Sequence, residues 1–162
     1  MLKYTICFLY ASGSVLLLNR QSAPWMGRWN GVGGKLEPGE TPLQGAVREI
    51  HEETGLELAE SEIRYSGTVT WSIDGVTTGG MYTFVAELND PSVLPTPTAN
   101  EEGILDWKPI EWVLHPNNQG IASNLPYYLP ALLDTIQPVD HHCTFEQGVL
   151  TAVTVVEPSV AG

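Results

Sequence analysis

Apolar and β-branched residues dominate Lys3–Tyr10 and Val15–Asn19, and the pattern predicts two strands around the turn Ala11-Ser12-Gly13-Ser14. From Gln21 to Gly39 the chain becomes rich in Gly and Trp and reads as a loop. A helical period then takes over. Leu43, Ala46, Val47, Ile50 and Thr54 recur at the spacing of one buried helix face. Both ends of that helix are marked. Thr41-Pro42-Leu43-Gln44 offers a capping box, with Thr41 as N-cap, Pro42 at the first helical position and Gln44 reaching back. Gly55 is the natural left-handed terminator.

Ile63–Ile73 and Met81–Leu88 predict two more strands, joined through Asp74-Gly75 and Gly79-Gly80. Asn89–Asn100, with Pro91, Pro95 and Pro97, predicts a loop, and Leu105–Lys108 a short strand. Tyr127–Ile136 predicts a second helix, with Pro130 placed in its first turn and Pro138 beyond its end. His142–Phe145 and Leu150–Val156 predict a closing hairpin that turns at Gln147-Gly148. Strands and helices interleave without repeats, so the fold class is mixed α/β. One domain is expected over residues 1–158, with a disordered tail at 159–162.

Composition adds little to this until charge is counted. A chain of 162 residues that is 43% hydrophobic can build one core without staples. No apolar run approaches the roughly 20 residues of a membrane span. Met1–Tyr10, interrupted by Lys3 and Thr5, reads as a first strand and not as a signal peptide. Cys7 and Cys143 stand far apart in strand-like runs, so reduced, buried thiols and a cytoplasmic protein are expected. Nineteen acids face seven Lys and Arg, for a net charge of −12. Solubility alone would account for that charge. It disfavours a sequence-independent grip on double-stranded nucleic acid, and it leaves any phosphate substrate dependent on metal for positive charge.

Glu49, Glu52 and Glu53 are three and four residues apart, on one arc of the first helix. Three glutamates on a helix ordinarily form a solvated stripe. Two features argue otherwise here. Arg48, four residues before Glu52, can hold that carboxylate, and the Gly-rich segment Gly31-Val32-Gly33-Gly34 lets backbone approach a ligand closely. Gly45, one turn before Glu49, leaves space at the cost of about 1 kcal/mol in helix propensity. Oxygen-only ligands on a rigid face suit Mg²⁺ or Mn²⁺, not zinc.

Written out, the segment runs Gly34-Lys35-Leu36-Glu37-Pro38-Gly39-Glu40, seven residues, then Arg48-Glu49-Ile50-His51-Glu52-Glu53-Thr54-Gly55-Leu56. It matches every fixed position of the Nudix box, G-x5-E-x7-R-E-U-x-E-E-x-G-U, in which U is apolar. The chain therefore resembles the Nudix hydrolase superfamily. Arg28–Lys35 is similar to the approach to the box in MutT-like 8-oxo-dGTP diphosphatases. Asn100-Glu101-Glu102-Gly103 and Leu105-Asp106-Trp107 are similar to their acidic segment and tryptophan strand, and the Phe145 and Leu150–Val156 hairpin to the end of some bacterial members.

The resemblance implies the Nudix fold, a mixed β-sheet sandwiched between helices, with a C-terminal β-hairpin. It implies Mg²⁺, with Mn²⁺ as a substitute, held by Glu49, Glu52 and Glu53 with help from the Gly33 carbonyl. Glu102 matches a fourth acidic residue that binds metal or acts as base, and either Glu53 or Glu102 is the expected general base. Arg48 would orient the carboxylates, Glu40 would support loop and helix, and Gly55 would end the helix. Trp29, Asn30, Gly34, Lys35 and Asn124 are the expected contacts to a small nucleotide, with an oxidised purine nucleoside triphosphate as the favoured substrate.

Alternatives at the level of residues stay open. Asn30 can read a purine edge or merely favour a turn beside Gly31. Asn124, where related enzymes place two Asp, can meet the base or cap a helix. Trp29, Tyr82 and Phe84 can stack on a base or fill the core. At the level of function, the alternatives are another nucleoside-diphosphate-linked substrate, an RNA 5′-end pyrophosphohydrolase and a non-catalytic nucleotide-binding domain. Intact Glu49, Glu52 and Glu53 argue against the last. A monomer or homodimer without membrane partners is expected.

Overall fold

Strand β1 (Tyr4–Ala11) is buried along nearly its whole length, as a continuous apolar run requires of a strand covered on both faces. In the computed structural model, which describes residues 1–157, Ile6 and Phe8 enter one core with Leu17, Val85, Leu125, Tyr128 and Leu129. Cys7 and Leu9 enter a second core with Leu16, Leu18, Phe84, Ala46 and Ile50. Helix α1 (Pro42–Thr54) covers the second core, and α3 (Leu125–Asp134) covers the first. Both cysteines are free and buried, as expected. The expected tail at 159–162, and the last position of the expected domain, lie outside the described residues.

Strand β2 (Ser14–Arg20) pairs with β1 only at Tyr10↔Val15 and Ala11↔Ser14. Beyond those pairs the hairpin opens like a fork. Strand β4 (Val32–Lys35) fills it along Tyr4–Cys7, and β3 (Trp29–Asn30) lies against Leu18 and Asn19. The Gly-rich stretch expected to be loop is thus partly sheet. A Cβ on Gly31 would stand 2.7 Å from Phe8 Cε1, and one on Gly33 would strike the Thr5 carbonyl and lie 2.8 Å from Ile6 Cα. Glycine serves close strand packing here, not a turn.

Strands β5 (Arg64–Ile73) and β6 (Thr77–Glu87) turn at Asp74 and Gly75, with φ of 52° and 69°. Gly79 and Gly80, expected in that connection, lie inside β6. A Cβ on Gly79 would sit 2.7 Å from Trp71 Nε1, so its bareness makes room for the indole across the ladder. β6 runs parallel to β1. The expected loop contains the short strand β7 (Thr98–Asn100), which pairs with β8 (Gly103–Pro109) before the one-turn helix α2 (Ile110–Val113).

The closing hairpin, β9 (Asp140–Glu146) and β10 (Val149–Val156), joins the sheet through a parallel β5–β9 ladder. The full order is β10-β9-β5-β6-β1-β2-β8-β7. One expectation fails in α3. The helix starts at Leu125, so Pro126 takes the first turn and Pro130 falls in the interior. Pro130 cannot donate to the Pro126 carbonyl, but burial of Leu125, Tyr128, Leu129 and Leu132 holds the helix together. Among the described residues, no helix is long and apolar enough to cross a membrane.

Candidate active site

The ends of α1 fix where its carboxylates stand. Thr41 Oγ1 accepts from the Gln44 N–H at 3.1 Å, and Gln44 Oε1 accepts from the Thr41 N–H at 2.9 Å. At the other end Gly55 takes φ 79° and donates its N–H to the His51 carbonyl at 2.8 Å. Between these caps the glutamates share one face but not one environment. The Glu52 side chain is 54% exposed and that of Glu49 13%, while Glu53 is only 7% exposed. A wholly solvated acidic stripe is therefore ruled out. Strand β4 and the turn before β8 close over the Glu53 edge of the helix.

Burial pushes the Glu53 carboxyl up to about 8, and the charges of Glu49 and Glu102 push the same way. The Gly33 amide and Arg20 pull it back only partly. Among the described residues its Oε2 has no hydrogen-bond partner. Burial likewise raises the Glu49 carboxyl, against the pull of Arg48 and with a further push from Glu52 and Glu102. Burial, then Glu53, drives the nearby Cys7 thiol far upward, which leaves it protonated and unreactive.

Arg48 is the hub. Its Nε and Nη2 fork onto Glu40 at 2.7 and 2.9 Å, and its Nη1 donates to Glu49 at 2.9 Å and Glu52 at 3.2 Å. Nη2 also donates to the Lys35 carbonyl at 3.1 Å, tying β4 to the helix. Glu40, held below the usual carboxylate range by its hydrogen bond from Arg48, accepts in turn from the Glu37 N–H at 3.1 Å. The space left by Gly45 is taken by Leu36 and by Glu40, whose Oε1 would lie 3.1 Å from an added Cβ. Gly34 is bare for Glu49: a Cβ there would stand 2.5 Å from Glu49 Oε1.

Glu102 is exposed, on the two-residue turn between β7 and β8. Its charge reaches both Glu49 and Glu53. Asn100, which the sequence reading passed over, shapes that turn. Its Oδ1 accepts from the Glu102 and Gly103 N–H groups at 2.8 and 2.9 Å, and its Nδ2 donates to the Glu53 carbonyl at 2.9 Å. An Asn opening Asn-Glu-Glu-Gly is a turn signal that could have marked it.

Desolvated Glu49 and Glu53, an unpartnered buried oxygen and a third acid coupled to both form a donor set that suits a hard divalent cation. Among the described residues no three acidic, His or Cys side chains already stand as a finished cage. Arg48 engages oxygens of Glu49 and Glu52 instead.

The family profile of the NUDIX domain matches residues 3–128. The chain belongs to the NUDIX domain family. An uncharacterized Nudix hydrolase of Bacillus subtilis, YvcI, is 35% identical over 109 residues, 65% of this chain and 64% of that protein. The oxidized purine nucleoside triphosphate hydrolase of Mus musculus is 44% identical over 55 residues, 34% of this chain and 35% of its own length. An RNA pyrophosphohydrolase of Agrobacterium fabrum is 27% identical over 128 residues, 60% of this chain and 75% of that one. The crystal structure of a MutT protein from Bacillus halodurans superposes with TM-score 0.78 at 25% identity, over 98% of this chain and all of that one. The mixed sheet between α1 and α3 is thus the NUDIX arrangement.

The expected base contacts are spread around this NUDIX domain. Trp29 lies under Lys108, whose Nζ is 4.3 Å from its ring centre, and its backbone bonds to Gly120 and Ala122. Asn30 Oδ1 accepts from the Gly31 N–H at 2.9 Å. Asn124 stands before α3 but makes no capping bond. It is buried, with Nδ2 3.8 Å from Cys143 Sγ and Oδ1 without a hydrogen-bond partner among the described residues. Lys35 is exposed. Phe84 is core, and Tyr82 is half-buried on the α1 side. A cleft of about 580 Å³ lies apart from the carboxylates, walled by Leu2, Thr70, Gly80 and His142.

Proposed function

We propose that this chain is a divalent-metal-dependent pyrophosphohydrolase that converts a nucleoside triphosphate and water to the monophosphate and pyrophosphate. The observation that carries this reading is Glu53: a nearly buried carboxyl beside Glu49 and Glu102, with an oxygen that no group among the described residues satisfies. Such a group is costly unless a cation or a proton joins it. Glu49, Glu52, Glu53 and Glu102 would hold Mg²⁺, with the Gly33 carbonyl as a further oxygen ligand. The metal supplies positive charge for the polyphosphate and lowers the pKa of bound water.

The chain's own residues do the rest. The fork to Glu40 and the bonds to Glu49 and Glu52 hold the acidic face still, so no ordering is needed as the substrate arrives. Water attacks phosphorus, the bridging P–O bond breaks, and pyrophosphate carries away the bond's electrons. The water's proton goes to a carboxylate, Glu53 or Glu102, both within the same coupled cluster. Lys35, exposed within the box, would meet phosphate.

Likeness to the mouse oxidized purine nucleoside triphosphate hydrolase supports an oxidised purine nucleotide as substrate, for which Asn30 and Asn124 would be the base contacts. Likeness to an RNA pyrophosphohydrolase supports a second reading, which the charge of −12 disfavours. Pyrophosphate release with Mg²⁺ from dGTP, 8-oxo-dGTP, ADP-ribose and a 5′-triphosphate RNA separates these. Release from none of them, with folded protein and metal, overturns the enzymatic reading.

A further inference from the structure

We infer that Asn100 is a positioning residue that sets Glu102 against the helix carrying Glu53, through a single amide that bonds both segments. The inference rests on the reading of Glu102 as a metal ligand given above.

The two segments have no local reason to meet. Glu53 lies in the last turn of α1, and Glu102 lies on a hairpin turn nearly fifty residues later in the chain. The last carbonyls of a helix lack intrahelical partners, and the Glu53 carbonyl takes its bond from Asn100 Nδ2 at 2.9 Å. The other half of the same amide faces the turn, where Oδ1 accepts from the Glu102 and Gly103 N–H groups at 2.8 and 2.9 Å. The backbone of both acidic residues is thus bonded to one planar group three atoms wide. The Gln21 N–H adds a bond to the Glu102 carbonyl at 3.1 Å, which anchors the turn from its far side.

Side-chain chemistry narrows what can stand at position 100. A short side-chain amide carries a donor and an acceptor side by side on one rigid plane. Asp would keep the acceptor and lose the donor, Ser would keep a weaker acceptor without reaching the helix, and Gln would add a methylene and set the turn back. Opposing this bond is the mutual repulsion of the acids, since Glu102 raises the carboxyls of both Glu49 and Glu53. The Asn100 amide holds the turn against the helix despite that repulsion. Residues that orient ligands typically change metal affinity 10–100-fold when lost.

The test is Mn²⁺ binding to the substrate-free protein, followed by electron paramagnetic resonance, for the parent, Asn100→Ser, Glu102→Gln and the double variant. Thermal unfolding confirms that each is folded at the measuring temperature, and Asn100→Ala serves as a second variant. Asn100→Ser is expected to weaken Mn²⁺ binding by about tenfold. In the Glu102→Gln background the same change is expected to have little further effect, because the two act through one ligand. An equal loss in both backgrounds would mean a general structural role and overturn the inference. Unchanged binding in Asn100→Ser, with binding weakened in Glu102→Gln, overturns it while Glu102 keeps its role. Unchanged binding in Glu102→Gln removes Glu102 from the site, and the inference falls with it.

Discussion

Arg48 and Glu40 meet as a two-pronged pair, Nε to Oε2 at 2.7 Å and Nη2 to Oε1 at 2.9 Å, across the stretch that joins β4 to α1. Only a guanidinium can make this fork and still reach Glu49, Glu52 and the Lys35 carbonyl. Arg48→Lys keeps the charge and loses the geometry. It is expected to lower kcat/KM by roughly 10–100-fold while leaving the charge-driven binding of nucleotide less affected. Steady-state kinetics at saturating Mg²⁺ checks this, and a parent-like kcat/KM in Arg48→Lys would refute the role.

Glu53 gives the metal-free protein a particular pH dependence. Its carboxyl has an ordinary value of 4.5 and is pushed up to about 8 in the fold. The folded state therefore holds this proton more tightly than the unfolded one. That contribution is fully present below about 4.5 and is lost as pH rises through about 8. Its size is on the order of a few kcal/mol. Chelator-treated protein should become less stable between these limits, and Glu53→Gln should flatten the curve while abolishing most turnover. Urea unfolding across the pH range measures this, and a parent curve no steeper than that of Glu53→Gln counts against it.

Adjacent glycines separate site from scaffold. A methyl on Gly34 would meet the Glu49 carboxylate at 2.5 Å, and a side chain can swing away. A methyl on Gly33 would meet the backbone of Thr5 and Ile6. Gly34→Ala is expected to fold with a Tm near the parent's and to bind Mn²⁺ at least several-fold more weakly. Gly33→Ala is expected to lose several kcal/mol of stability, because β4 must leave β1. Calorimetry and metal titration on both variants test the contrast, which fails if the two behave alike.

On the proposed reading, selectivity for an oxidised base would rest on Asn30. Oxidation at C8 turns the acceptor at N7 into a donor and adds a carbonyl oxygen. An amide that pairs with this altered edge would leave its own groups unsatisfied with the plain base. Asn30→Ala is expected to bring kcat/KM for 8-oxo-dGTP down toward that for dGTP, leaving the latter nearly unchanged. Equal kcat/KM for the two nucleotides in the parent would remove the basis for this role and leave a general triphosphate pyrophosphohydrolase.

What the sequence disclosed follows from how local each signal is. Helix α1 was legible to the residue because Thr41, Pro42, Gln44 and Gly55 act within one turn of its ends. The identities of the carboxylates were legible too, since a helix face follows from spacing alone. Their unequal burial was not, because Glu53 is covered by β4 and by a turn far along the chain. The same holds for Gly31 and Gly33, read as part of a loop that lets backbone approach a ligand, and for Gly79 and Gly80, read as part of a strand connection: a Cβ at these positions would strike Phe8, Ile6, Trp71 or Leu2. Pro130 was misplaced because the helix start at Leu125 depends on core contacts, with no capping bond from Asn124 to mark it.

The fork between β1 and β2 carries a kinetic consequence. β1 gains its principal neighbour, β6, only after more than sixty intervening residues have been laid down, and the wedge formed by β3 and β4 has nowhere to dock until that fork has opened. Closure of such long loops is slow. The helix can therefore form early on its own caps, while its acids gather into one cluster only at the final docking of the sheet. During biosynthesis, the segment that forms α1 is thus complete long before the turn that bears Glu102 has been laid down.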